Sequence, residues 1–171
     1  MKKLLTTIAI SVTLSAGGLS DYCDAITLSI GESKDKTKIN IYRVGLRKDF
    51  TPFATNGVLT IGGYWEASLN YWEKGSSTNF GVALSPVFAL YFNIGEFHPY
   101  IEAGVGASYF TKTHIVQRDI SSHWLFEDRV GTGFRYKNFD FGIRYMHYSN
   151  AGIVKPNQGI DIFIGSISYK F

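Results

Sequence analysis

The sequence has a single cysteine, no marked excess of charge and, beyond its first 25 residues, no long apolar run. Each absence excludes something. Cys23 sits beside the N-terminal segment, so a chain processed after Ala25 would hold neither a disulfide nor a thiol nucleophile. No later stretch approaches the roughly 18 apolar residues that a membrane helix needs. The net charge of +3 is carried by dispersed basic residues, which argues against nucleic acid and leaves only a weak attraction to an anionic membrane surface. His98, His114 and His123 are scattered over strand ends and loops without paired ligand spacing, so neither a metal nor any other cofactor is expected. Gly104-Val105-Gly106 is followed by no helix and reads as strand glycine, not as a phosphate loop.

What is present is aromatic and alternating. Of 171 residues, 45% are hydrophobic and 16% aromatic, too apolar for a disordered chain. Met1-Lys2-Lys3 followed by the apolar Leu4–Ala16 stretch reads as a secretory signal, with small residues favouring a cut after Ala25 and a cut nearer Gly18 as the alternative. A lipoprotein reading of Cys23 is disfavoured by Asp21 and Tyr22, which stand where small residues belong. Removing residues 1–25 takes away Lys2, Lys3, Asp21 and Asp24, so the mature charge stays at +3.

Residues 26–171 resolve into eight segments of period-two patterning, near 26–33, 38–47, 57–73, 78–92, 98–111, 121–136, 139–149 and 159–171. One row of the sixth is Trp124, Phe126, Val130, Phe134 and Tyr136; the opposite row carries Glu127, Arg129 and Arg135. The segments are long for a soluble protein but suit tilted strands crossing a membrane. Glu66, Glu102, Glu127, Arg129, Arg135 and Arg144 all fall on polar rows, as an interior of paired charges requires. The chain is therefore expected to form an all-β, eight-stranded antiparallel transmembrane barrel, one domain over 26–171, with a secreted sandwich or lipocalin-like barrel as the alternative. Trp65, Trp72 and Trp124 read as girdle or wall residues. With both termini in the periplasm, turns near 93–96 and at Lys137-Asn138 and the connection 48–56 lie on that side. The connections near 34–37, 74–77, 112–120 and 150–158 face outward.

Parity then locates the chemistry. His147 and Ser149 continue the lipid-facing row Phe139, Phe141, Ile143, Tyr145, and Asp161 shares the outward row of the last strand. A two-residue turn at Lys137-Asn138 sets Asp128 opposite His147. Polar side chains from three neighbouring strands thus converge on an apolar wall, near the outer rim. The chemistry on offer is acyl transfer: Ser149 as nucleophile, His147 as base, Asp161 as its orienter, and Asn150 as the nearest oxyanion donor through its amide or backbone N–H. Asn157, Gln158 and Gly159 could brace the site.

Longer stretches carry a resemblance. Gly62-Tyr64-Trp65-Glu66 with Asn70-Tyr71-Trp72-Glu73, Leu84 to Phe88, Pro99 to Gly106, Phe126 to Gly131, and His147 to Gly152 with Lys155-Pro156-Asn157 resemble the outer-membrane lipid A 3-O-deacylases of the PagL type. The resemblance implies an eight-stranded barrel, without cofactor, that hydrolyses the 3-O-linked acyl chain of lipid A in lipopolysaccharide. It places the family's serine and histidine on Ser149 and His147 and its oxyanion asparagine on Asn150. Its supporting residues fall on Phe126, Asp128, Asn157 and Gly159. One departure stands out: the family's acid is a glutamate, and here it is Asp161. The shorter arm withdraws the carboxylate by about 1.5 Å, so closing the triad calls for a shifted strand or a bridging water. Lys74, Lys112 or Lys155 could steer anionic sugar phosphates. The rival functions are an outer-membrane phospholipase and a non-enzymatic structural or adhesive barrel.

Overall fold

Alternation of bulky with small or polar residues becomes eight long antiparallel strands in the computed structural model, which describes residues 18–171. The strands are β1 (Ala25–Ser33), β2 (Asn40–Asp49), β3 (Leu59–Lys74), β4 (Ser77–Phe92), β5 (Phe97–Phe110), β6 (Trp124–Tyr136), β7 (Phe139–Ser149) and β8 (Ile160–Lys170). They pair in the order β2-β1-β8-β7-β6-β5-β4-β3, and β2 pairs with β3 to close the ring. Closure removes every sheet edge of the barrel. The expected eight-stranded barrel is therefore the fold. The body of the expected signal peptide, residues 1–17, lies outside the described residues.

Strand limits shift by a few residues from the pattern. The sixth strand starts at Trp124 and not at 121, because Ile120 to Ser122 form a tight turn in which Ser121 has φ 55° and Ser122 N–H donates to the Ile120 carbonyl at 2.7 Å. Two connections carry pairing of their own. Ala54–Thr55 joins the start of β3, and His114–Ile115 pairs with Arg118–Asp119 in a small hairpin. Lys137-Asn138 makes the expected two-residue turn, with Lys137 at φ 52°.

The outer wall is apolar from strand to strand: Leu28, Ile30, Leu69, Phe80, Leu84, Phe88, Ile101, Val130, Ile143 and Phe163 are all exposed. Such a belt on a closed barrel fits hydrocarbon and not water. The inside is layered. At the end carrying the long loops, Ile39, Ile41, Trp72, Phe110, Ile115, Ile120, Met146, Tyr148, Ile160 and Ile162 form a buried apolar plug. At mid-height the interior is ionic. Arg43 bridges Glu66 at 2.8 Å and Glu127 at 2.6 Å, Arg129 bridges the same two glutamates, and Arg47 spans Glu66 and Asp140 at 3.2 and 3.1 Å. Arg144 pairs with Glu102. Tyr64 donates to Glu102 and Tyr100 to Asp140, each at 2.7 Å. Arg43 and Arg47 were not among the charges expected inside from the strand pattern; β2 carries both inward.

An ion pair this deeply buried adds little net stability when intact, but losing one partner strands the other charge, at a cost of about 3–5 kcal/mol. Glu127 is the most connected carboxylate, held by Arg43, Arg129, Ser85 and Tyr148. Glu127→Gln should destabilise the barrel by about 3–5 kcal/mol in urea titrations in detergent or lipid. A loss under about 1 kcal/mol would mean that solvent reaches the lumen and screens the pairs.

Candidate active site

The outward row at the loop end of β7 and β8 holds the candidate catalytic groups. His147 and Asp161 are directly opposite partners on the two strands, and on its other flank His147 faces Asp128 of β6. Side chains so placed have Cβ atoms about 4.5–5.5 Å apart. An imidazole and an aspartate, each reaching two bonds beyond Cβ, then meet without strain. His147 Nδ1 lies 2.7 Å from Asp161 Oδ1, both side chains being 39% exposed. The expectation that a shorter acid would need a shifted strand or a water bridge is corrected by this register: directly across the ladder, aspartate is long enough.

Ser149 is the last residue of β7, on the same face as His147 and opposite Phe126. Its Oγ accepts from the Ala151 backbone N–H at 3.4 Å. Among the described residues it makes no hydrogen bond to His147, so the serine end of the triad is open while the acid end is closed. Catalytic hydrogen bonds in a substrate-free site are commonly loose and tighten when substrate binds.

Between His147 and Ser149, Tyr148 points the opposite way. It is fully buried, donates to Glu127 Oε2 at 2.7 Å, accepts from Arg43 at 3.0 Å and packs edge-on to Trp72 and Phe110. The interior network thus grips the strand segment that displays the site outside. Nothing in the residue pattern at 147–149 announces this anchor; it depends on which charge stands across the lumen.

Gly159 closes the site from the loop. It has φ +55°, and a Cβ added there would stand 3.1 Å from His147 Cε1 and 3.2 Å from the Tyr148 carbonyl oxygen. Both the backbone conformation and the closeness of the imidazole favour glycine. Asn150 is buried and occupied. Its amide donates to the carbonyls of Ile120 at 3.0 Å and Val154 at 2.9 Å, its Oδ1 accepts from Gly152 N–H at 2.9 Å, and its own N–H donates to Asn157 Oδ1 at 3.3 Å. The Asn150 side chain therefore organises the loop and has no donor to spare. Asn157 Nδ2, by contrast, has no partner among the described residues.

Beside His147 the wall sinks into an apolar groove of about 570 Å³, floored by Ala103 and Gly104 and walled by Pro86, Phe88, Val130 and Tyr145. Asp128 stands at its margin and forms no ion pair among the described residues. The other expected rim groups are elsewhere. His123 Nδ1 donates to the Phe110 carbonyl at 2.7 Å, and His114 pairs with Asp119. Lys112 Nζ donates to the Thr78 carbonyl, so it is engaged within the β4–β5 rim.

A serine, a histidine and an aspartate on the outward row of a small closed barrel are the residue set of a candidate hydrolase class. Comparisons with known proteins narrow it. Residues 40–170 match the family model described as lipid A 3-O-deacylase (PagL). The lipid A deacylase PagL of Pseudomonas aeruginosa is 34% identical over 176 residues, covering 99% of this chain and 98% of that protein. That of Bordetella bronchiseptica is 36% identical over 123 residues, 65% of this chain and 67% of the relative. A crystal structure of the outer membrane enzyme PagL superimposes with a TM-score of 0.80 at 30% identity, covering 86% of this chain and 99% of that one. The chain belongs to the lipid A 3-O-deacylase (PagL) family.

Gly159→Ala tests how closely the loop governs the imidazole. The added methyl displaces the His147 ring, so kcat should fall by about tenfold to a hundredfold while the barrel keeps its folded, heat-modifiable mobility on gels. Unchanged kcat would show that His147 is free to relax away from residue 159.

Proposed function

We propose that this protein is an outer-membrane esterase that removes the 3-O-linked acyl chain of lipid A in lipopolysaccharide, with the loop end of the barrel toward the outer leaflet. The observation that carries the reading is the 2.7 Å His147–Asp161 contact on the lipid-facing wall, two residues from Ser149. An orienting carboxylate on an imidazole beside a hydroxyl is the arrangement that acyl transfer needs, and its only service here is to something lying against the barrel. The names of the family and of its relatives supply the substrate class.

Ser149 Oγ attacks the ester carbonyl carbon while His147 Nε2 takes its proton, and Asp161 holds the Nδ1–H tautomer and stabilises the imidazolium. The developing oxyanion meets the Ala151 N–H, already directed at Ser149 Oγ, and the unengaged Asn157 Nδ2. Collapse breaks the bond to the sugar oxygen, which takes the proton from His147 and leaves as the free 3-hydroxyl. A water molecule, deprotonated by His147, then attacks the acyl-serine and releases the fatty acid. No cofactor enters either half. The groove beside His147 holds the acyl chain, and Asp128 at its margin offers an acceptor to a hydroxyl on that chain, which gives an otherwise unpartnered carboxylate on an apolar wall its use.

Expression in a Gram-negative host with 3-O-acylated lipid A, beside Ser149→Ala, is the direct test. Wild type should yield lipid A lighter by one hydroxyacyl chain, and the alanine variant should leave it intact. Unchanged lipid A with wild type, an equally active alanine variant, or fatty acid released from phospholipid instead would each refute the reading. Asp161→Asn should lower kcat by about 10³–10⁴-fold, since the amide no longer enforces the reactive tautomer.

We infer also that the N-terminal residues form an export signal cut upstream of Asp24, near Gly18 and not after Ala25. In support, Asp24 is tied into the terminal rim: its N–H donates to the Arg47 carbonyl at 2.7 Å, its carboxylate takes the Asp49 N–H at 2.7 Å and Lys48 at 3.0 Å, and its carbonyl accepts from Phe171 at 3.0 Å. Those bonds hold its carboxyl below the usual range against the opposing effect of burial. The intact mass of the protein from outer membranes should include Asp24; a mass beginning at Ile26 would contradict this.

A further inference from the structure

Arg118, in the small hairpin between β5 and β6, contacts two other loops at once. Its Nε and Nη2 each reach Asp35 Oδ2 at 3.0 Å, in the β1–β2 connection. Its Nη1 donates to the carbonyls of Gln158 at 3.0 Å and Gly159 at 3.2 Å, in the β7–β8 connection. A loop arginine that served only solubility would turn its guanidinium to water; this one spends all three nitrogens on protein, and its side chain is 29% exposed.

The contacts run in register with the site. Asp35 is fixed on its other oxygen by the Thr37 N–H at 2.9 Å and Ser33 Oγ at 3.2 Å, so the anchor is itself held. Next to Arg118, the Asp119 N–H donates to Gln158 Oε1 at 2.8 Å, the Gln158 N–H returns to the Asp119 carbonyl, and Ser121 Oγ reaches the Pro156 carbonyl. Ser121, through its hydroxyl and N–H, holds the Asp119 carboxyl below its ordinary range. The stretch 118–121 thus lies along 156–159. Gly159, whose carbonyl Arg118 holds, lies so close to the imidazole that a Cβ there would stand 3.1 Å from His147 Cε1, and two residues on comes Asp161, whose carbonyl accepts from Lys34 N–H at 2.8 Å.

We propose that Arg118 is a positioning residue for the hydrolysis: by clasping the Gly159 backbone to the Asp35 loop, it presses Gly159 against the imidazole and keeps His147 Nδ1 on Asp161. The inference rests on the esterase reading given above. The chemistry calls for arginine, because a planar fork spans a carboxylate and two carbonyls that a single ammonium cannot reach together. Removing it frees the loop wall of the site, touches no group of the triad and leaves the lumen untouched.

The test is steady-state kinetics of the full-length barrel in detergent on 3-O-acylated lipid A, with folding checked by heat-modifiable mobility. Arg118→Ala should lower kcat by about tenfold to a hundredfold with KM changed less than about twofold, since the lost contact orients catalytic groups and binds no substrate. Arg118→Lys, which keeps the pair with Asp35 but not both carbonyls, should recover only part of the loss, and Asp35→Asn should fall between. Unchanged kcat in Arg118→Ala overturns the proposal, and so does a loss confined to KM, which would make Arg118 a headgroup contact. Should the alanine variant fail to fold, Arg118→Lys and Asp35→Asn decide on the same criterion. Failure of the esterase reading is distinct: wild type would release no acyl chain, or Ser149→Ala would match it.

Discussion

The structure depends on buried guanidinium–carboxylate pairing inside a closed ring. Once the outer wall is given over to apolar side chains, the charged residues at mid-height of the strands turn into the lumen, where an unpaired charge is costly. Arg43, Arg129, Glu66 and Glu127 satisfy one another across the barrel, with Arg47, Asp140, Arg144 and Glu102 extending the set toward the terminal end. Tyr148 carries that rigidity to the outside, because its hydroxyl is locked on Glu127 while its chain neighbours, His147 and Ser149, face outward. Pleating does the rest: in a strand, whatever fixes one residue fixes the aim of the residues on either side.

The site is then rigid on its strand side and dependent on loops for its other wall. Adjacent strands bring the imidazole within reach of Asp161. The Gly159 wall, the Asn150 turn and the donors available to an oxyanion all belong to the 150–159 connection, held by Ile120, Arg118 and Gln158 contacts. On the proposed reading, a substrate embedded in the same membrane requires alignment more than capture, and a shallow groove beside His147 meets that need where a soluble esterase would use an enclosing pocket.

Much of this was legible in the sequence, for physical reasons. Period-two alternation is a local property, so the eight strands, the outward parity of His147, Ser149 and Asp161, and the Lys137-Asn138 turn could be read directly. Counting back from that turn placed Asp128 opposite His147, as the register has it. What escaped depends on distance through space. Whether Asp161 could reach His147 was a matter of cross-strand geometry, and the register brings Oδ1 to 2.7 Å from Nδ1. The occupation of the Asn150 amide depends on Ile120, 30 residues away. The contact of Arg118 with Asp35 bridges 83 residues. No pattern in either loop advertises the other, and the small hairpin that aligns them lay within what read as plain connection.

The proposed mechanism requires Ser149, on the outward wall, to be an activated nucleophile. Reaction of the folded barrel with a long-chain alkyl fluorophosphonate, followed by peptide mass analysis, tests it most directly. One phosphonyl group should appear on the peptide bearing Ser149, at a rate that drops steeply in His147→Ala. Absence of label, label on another residue, or an undiminished rate without His147 would contradict it.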